Sequence, residues 1–448
     1  MSRRRIAWGV AANLYDKLLI AGVQLLMVPL LVLHWGLPLY GSWVLLVTIP
    51  GFLAVADLGF GGAATLRMIG LVALDKRDEA VVVLQTACQV VAIAAVVVLA
   101  GALLTIWAVP AGWLPADPAL PVAEVRIILV LLVLYALAVF QSMLAGAAYV
   151  SVRLAPLYAF TSAHVTLLES ALLAAVVVAG HGPLAGAAAM LTGRVAGVTG
   201  QRILLRRREP WLRFGLGRAD PAERKLLARS AMGVVTIPLS QALVLQGSVV
   251  ALGAAAGPIA TPAFVAARTL SRIGLQATQL FTHAIMPEFT AAHARTDQAA
   301  QARMLVALVG AALLAALPFA LLIGLAGDWL LARWTGGAII APSGLMPAIA
   351  LTVALGGLWT PLSAMMLAIG RQGAFVWAYL LIGIASVAGT YSLAQALGAT
   401  GAALAVAALD LCMCVVVGSF AYRQWWRGFP TGPAARAMLA RGLAVMRR

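Results

Sequence analysis

Apolar residues in this chain come in long runs, not in the alternating or one-faced patterns that soluble strands and helices show. Runs of 18 or more apolar residues read as membrane-spanning helices. They recur from end to end, at about 9–33, 40–62, 80–108, 124–148, 157–180, 183–205, 230–253, 261–288, 303–327, 344–369, 374–396 and 400–422. Gly and Pro punctuate them: Gly36-Leu37-Pro38, the stretch Pro110 to Pro121, Gly182-Pro183, Gly257-Pro258 and Gly398 mark turns. The expected fold is therefore all-α and polytopic, with about twelve transmembrane helices. The first run carries Asp16, Lys17 and Gln24 and lacks a small-residue cleavage site, so it reads as a span and not as a signal peptide.

Polar punctuation divides the runs six and six. The longest polar connection, 206–229, opens with Arg206-Arg207-Arg208 and closes with Arg229. The expected organisation is an N-terminal six-helix lobe over 1–208, a cytoplasmic linker over 209–229, a C-terminal six-helix lobe over 230–422 and a basic cytoplasmic tail over 423–448. The halves echo each other. Gly182-Pro183-Leu184-Ala185-Gly186-Ala187-Ala188-Ala189 resembles Gly398-Ala399-Thr400-Gly401-Ala402-Ala403-Leu404-Ala405, with Gly186 and Gly401 offset by 215 residues. The turns around Arg153 and Arg371 are offset by 218 residues. Such parallel repeats place a substrate path between the halves.

Composition agrees with the pattern. The 448 residues are 63% hydrophobic and 10% charged, far below the roughly one quarter charged that a water-facing surface needs. The net charge of +16 taken alone suggests nucleic acid, but its distribution is that of a membrane protein. Arg3 to Arg5, Arg67, Lys76, Arg77, Arg153, the run Arg202 to Arg229, Arg295, Arg303, Arg371 and the tail from Arg423 fall on one side, and Arg333 with Arg126 on the other. By the positive-inside bias both termini are cytoplasmic, the protein is expected in the inner (plasma) membrane, and the basic surplus faces anionic lipid and no nucleic acid.

Several ionisable groups fall inside spans, where each costs several kcal/mol and marks a functional candidate. In the first helix Asn13, Lys17 and Gln24 lie within about 40° of one another at 100° per residue. In the eighth, Arg268, Arg272, Gln276, Gln279 and His283 lie within about 80°. Arg194, Glu169, His164, Asp16 and Asp410 add further charge within spans. Four cations, Lys17, Arg194, Arg268 and Arg272, facing one wet chamber favour an anionic ligand, because guanidinium offers bidentate donors to phosphate. The acidic residues Asp16, Glu169 and Asp410 carry two readings: partners that neutralise Lys17 or Arg194, or carriers of a coupling ion.

Common catalytic signatures are missing. The only lysines are Lys17, Lys76 and Lys225, and none follows a glycine, so there is no Walker A loop. No Asp-x-Asp pair and no Gly-x-Ser-x-Gly occurs. Cys88, Cys412 and Cys414 lie in apolar runs, and no cluster has metal-ligand spacing. No catalytic residues, metal or cofactor are expected, and transport is favoured over enzymatic activity.

Asn13, Pro29, Tyr40-Gly41-Ser42-Trp43 and Asp57-Leu58-Gly59-Phe60-Gly61-Gly62-Ala63 with Arg67 resemble the N-terminal signature of bacterial polysaccharide flippases. These are the Wzx-type members of the multidrug/oligosaccharidyl-lipid/polysaccharide (MOP) exporter superfamily, which serve O-antigen and exopolysaccharide synthesis. The resemblance implies two six-helix lobes in a V around a central, often cationic cavity. It implies an undecaprenyl-pyrophosphate-linked oligosaccharide turned from the cytoplasmic to the periplasmic leaflet by alternating access. Partners implied are that substrate, membrane lipids, and a polymerase with other glycan-assembly proteins. Asp57, Gly59 and Arg67 would then be signature residues at a cytoplasmic gate or helix end. Three alternatives stay open: a multidrug or small-solute exporter of the same fold, a membrane enzyme of glycan assembly, and a lipid II flippase, for which fourteen spans are usual.

Overall fold

A computed structural model describes residues 3–53, 60–115, 119–232 and 236–426, with the side chains of 3–13, 230–232, 277, 280, 283, 284, 287, 374 and 426 left aside. Among the described residues there are helices and no strand. The chain separates into two compact units, Met1–Ala242 and Leu243–Arg448.

The first unit holds α1 (Arg3–Leu53), α2 (Phe60–Ala73), α3 (Arg77–Ala108), α4 (Val122–Ser151), α5 (Ala155–Val178), α6 (Pro183–Arg208), α7 (Pro221–Met232) and α8 (Thr236–Ala242). The second opens with a π turn over Leu243–Gly247 and continues through α9 (Ser248–Ala256), α10 (Thr261–Ala294), α11 (Gln298–Trp334), α12 (Leu345–Ala368) and α13 (Val376–Ala421). Eight helical stretches are long and apolar enough to cross a membrane. Two of them, α1 and α13, are broken at Gly36 (φ 73°) and Gly398 (φ 54°), a backbone region that glycine enters without steric cost, so each supplies two segments. At 26 and 34 residues α6 and α10 are long enough as well, although they carry arginines. Split in this way, the described helices overlap each of the twelve expected spans, and the chain is a multi-pass membrane protein.

Two features depart from the reading of the apolar pattern. The second span was expected over 40–62; residues 54–59 lie outside the described residues, and the described helix Phe60–Ala73 extends beyond the expected end, carrying Arg67 with it. In the connection over 209–229, residues 221–229 belong to α7, and several residues of the segment contact the rest of the first unit. Leu212 and Leu227 join the apolar cluster of Met68, Leu84, Phe140, Leu144 and Leu205. Gln85 on α3 donates to the Arg213 carbonyl at 3.1 Å and accepts from the Arg218 amide at 2.8 Å. Thr86 accepts from the Asp220 amide at 3.0 Å, and Arg67 pairs with Glu223 at 2.8 Å. These contacts satisfy loop amides that would otherwise compete for water.

Small residues let neighbouring helices approach closely, the usual device where lipid supplies no hydrophobic drive between helices. Within the first unit Gly193 and Gly197 on α6 abut Glu169 and Val165 on α5, and within the second Gly357 on α12 abuts Ala316 on α11. The two glycines of the repeated motif differ in what confines them. A methyl group at Gly186 would lie 2.9 Å from the Leu173 side chain and 3.2 Å from Trp35, both of which can shift. At Gly401 it would clash with the Leu393 carbonyl oxygen, across the hairpin that Gly398 creates, and backbone cannot shift cheaply. Gly401→Ala is therefore expected to destabilise by about 1–3 kcal/mol and Gly186→Ala by clearly less. Thermal unfolding of the detergent-solubilised variants checks the order, and equal melting temperatures would refute it.

Candidate functional site

In the first unit α4, α5 and α6 each bring one polar side chain to the same place. Arg194 on α6 donates through Nη2 to Glu169 Oε2 on α5 at 2.8 Å and to the Tyr135 hydroxyl on α4 at 3.0 Å. The Tyr135 hydroxyl donates in turn to Glu169 Oε2 at 3.1 Å, and Arg194 Nε also meets Glu169 Oε1. The guanidinium lies 5.3 Å from the centre of the Tyr135 ring. With side-chain exposures of 13% and 7%, this is a buried ion pair. Of the two readings of Glu169, the geometry is that of a neutralising partner. Arg194, expected as a cavity cation, has a private carboxylate.

The polar stripe of the first helix is looser. Lys17 is 52% exposed and sits 3.8 Å from the adjacent Asp16 carboxylate, too long for a good hydrogen bond. Gln24 is half-buried. His164 is packed by aromatic rings, 4.3 Å from Phe160 and 5.7 Å from Tyr15 between centroids, with Nδ1 at 2.8 Å from the Phe160 carbonyl. The side chains of Asn13 and His283 and the residues Asp57 and Gly59 lie outside the described residues. Arg67, the remaining signature residue, ties α2 to α7 through Glu223.

In the second unit the stripe of α10 divides into two roles. Arg268 donates through Nη1 to the Leu245 carbonyl at 2.6 Å and to Ser248 Oγ at 3.2 Å, and its guanidinium lies 5.2 Å from the Phe264 ring. Leu245 belongs to the π turn, and its carbonyl also accepts from Ser248 Oγ at 3.4 Å. One turn further along α10, Arg272 is exposed, and among the described residues it has neither hydrogen bond nor ion pair. Gln276 is half-buried and Gln279 exposed but engaged. No carboxylate of the described second unit compensates either arginine.

Asp410, midway along the second arm of α13, is 9% exposed. It accepts one hydrogen bond, from Trp359 Nε1 on α12 at 2.9 Å. Among the described residues no cation pairs with it. No group of three His, Cys, Asp or Glu able to hold a metal ion occurs there either.

Lys17 and Arg194 thus belong to one unit, Arg268 and Arg272 to the other. Pattern reading missed Tyr135, Trp359 and the Leu245 carbonyl. Tyr135 and Trp359 sit in apolar runs where nothing local distinguishes them. Only the short polar break Gln246-Gly247-Ser248 beside the π turn hinted at the third.

These helices and this connectivity have known counterparts. The fold is that of a MATE-type transporter. An inward-facing multidrug resistance MATE family transporter of the MOP superfamily superposes with a TM-score of 0.75 at 15% identity, over 92% of this chain and 97% of that one. The lipid II flippase MurJ, in an inward closed conformation, gives 0.68 at 13% identity over 98% and 91%. The MATE multidrug transporter DinF-BH, solved as a complex, gives 0.67 at 14% identity over 95% and 96%. No protein-family model matches the chain. No curated protein sequence matches it.

The buried pair generates a prediction. Removing one partner strands a charge, at a cost of about 3–5 kcal/mol, whereas replacing both by apolar residues of similar volume is close to neutral. Glu169→Ala should strongly destabilise the protein, and the double variant Glu169→Leu, Arg194→Met should recover most of the loss. Thermal unfolding in detergent reads both. A double variant as unstable as the single one would show that the pair is not the reason.

Proposed function

We propose that this protein is a flippase for an undecaprenyl-pyrophosphate-linked oligosaccharide, carried from the cytoplasmic to the periplasmic leaflet of the inner membrane by alternating access. Both termini are cytoplasmic, and the step serves surface polysaccharide synthesis. The observation that carries the reading is Arg272, a guanidinium in a membrane-length helix with no counter-anion among the described residues. In hydrocarbon such a group is untenable, so it faces water and awaits an anionic group supplied by the cargo. Arg268, one turn away and held by Leu245 and Ser248, adds positive field without being consumed by a carboxylate. A pyrophosphate meets that field, and the prenyl chain stays in lipid. Lys17 is the accessible cation of the first unit; Arg194 shapes that unit from within its pair with Glu169. A polymerase and other glycan-assembly proteins are the natural partners.

Cation-exporting multidrug transport is the second reading, favoured by the multidrug transporters that share the fold. It calls for accessible carboxylates. Here Glu169 is neutralised by Arg194 and Asp410 is 9% exposed, whereas Arg272 on α10 is an accessible cation and the accessible acid of that helix, Glu288, lies about four turns further along. The shared fold with MurJ is compatible with lipid-linked cargo in this architecture.

The test is Arg272→Ala, expressed in the native background and checked for membrane level by immunoblot. A charge-assisted hydrogen bond is worth about 1.5–3 kcal/mol, so export of the lipid-linked glycan should fall by roughly 10- to 100-fold, with Arg272→Lys intermediate. Because Arg268 also caps the π turn, Arg268→Ala should lower folded yield as well as export. Wild-type surface glycan in Arg272→Ala would remove the cation role.

A further inference from the structure

We infer that Asp410 is a proton-loading site. Its carboxyl takes a proton from water in one state of the transport cycle and returns it to water in another. This rests on the reading of the chain as a transporter and selects one among its three acidic candidates.

The selection follows from geometry. Asp16 lies beside Lys17, and Glu169 is locked by Arg194 and Tyr135. Of the three, Asp410 alone has no cation among the described residues. It lies twelve residues past Gly398, about 18 Å along the helix at 1.5 Å per residue, in the middle of a membrane-length segment. A carboxylate there is tolerated only when neutralised, and a proton or a metal ion are the two neutralising species small enough. Hard cations need several oxygen ligands. The atom facing Asp410 Oδ1 is instead the indole nitrogen of Trp359, a donor that repels a cation. Cys414, one turn along α13, turns its thiol to the Leu355 carbonyl at 3.3 Å. With one indole donor and no oxygen ligand among its hydrogen-bond partners in the described residues, this setting suits a proton. With the proton on Oδ2, Oδ1 remains a carbonyl oxygen that keeps accepting from Trp359; without it, the same indole stabilises the carboxylate. One contact serves both states.

The surroundings bring little else that titrates. From the first arm of α13 comes Tyr379, whose ring packs 5.3 Å from that of Trp359, and Tyr379 and Cys414 lie within electrostatic reach of Asp410. The packed helices α9 and α12 and the π turn over Leu243–Gly247 hold no ionisable residue. Arg268, Arg272, Glu288 and His293 of α10, Cys412 on α13 itself and Arg423 beyond its end form no ion pair with Asp410.

Infrared difference spectroscopy on the purified wild-type protein, titrated across neutral pH without cargo, tests the site by itself. A protonated-carboxyl stretch should appear on acidification and be missing in Asp410→Asn. Trp359→Phe should move that band to higher wavenumber, since its carbonyl oxygen loses a donor. This second variant assigns the band even if Asp410→Asn does not fold. Exchanging sodium for potassium should leave the titration unchanged. An Asp410 band present at every pH, absent at every pH, or displaced by sodium alone would overturn the assignment. In proteoliposomes Asp410→Asn should lose the response of transport to an imposed pH gradient, and an unaltered response would equally overturn it. If the band titrates but no lipid-linked glycan is carried, the proton site stands and the cargo reading fails.

Discussion

Hydrocarbon does not solvate charge, and that constraint organises this molecule. Every ionisable group within its membrane-length helices must be paired, hydrogen-bonded, protonated or exposed to water. Glu169 and Arg194 solve the problem by pairing under the Tyr135 hydroxyl. Arg268 solves it by donating to the Leu245 carbonyl of the π turn. Asp410 has one indole donor and no cation among the described residues, and Arg272 has nothing there. Two arrangements are closed structurally and two groups are left over. On the proposed reading a proton completes the buried Asp410 and an anionic cargo the exposed Arg272.

Most of the fold was legible in the chain because membrane helices announce themselves through length and apolar density, and their ends through Gly and Pro. Gly36 and Gly398 were correctly placed as turns, and the described helices follow the expected spans closely. Departures came where polar residues are held by tertiary contacts. Residues 209–229 look like a linker because they are basic and carry turn residues, yet Gln85, Thr86 and Arg67, more than a hundred positions earlier, bind them down. The candidate site was legible as a set of residue types but not as a set of partners. Glu169 and Tyr135 are 34 positions apart, and Asp410 and Trp359 are 51 apart. Helical periodicity relates neighbours on one helix only. It correctly grouped Arg268 with Arg272 and had no means of seeing that Leu245 would claim the first and leave the second.

The fold alone does not name the cargo. At 13–15% identity the same architecture is shared with multidrug transporters and with a lipid II flippase, so what distinguishes their functions must reside in side chains carried by common helices. In this chain Glu169 and Asp410 are buried, whereas Lys17 and Arg272 are accessible. That contrast is the argument for the anionic cargo proposed above.

Reconstitution addresses the cargo most directly. Purified protein in proteoliposomes, loaded in the outer leaflet with a labelled undecaprenyl-pyrophosphate oligosaccharide, is followed by the fraction of label that a membrane-impermeant reagent still reaches. The account predicts protein-dependent loss of accessibility, slowed by free pyrophosphate and strongly impaired in Arg272→Ala, with no uptake of a cationic dye in parallel vesicles. Dye transport with no movement of the lipid-linked glycan would contradict it.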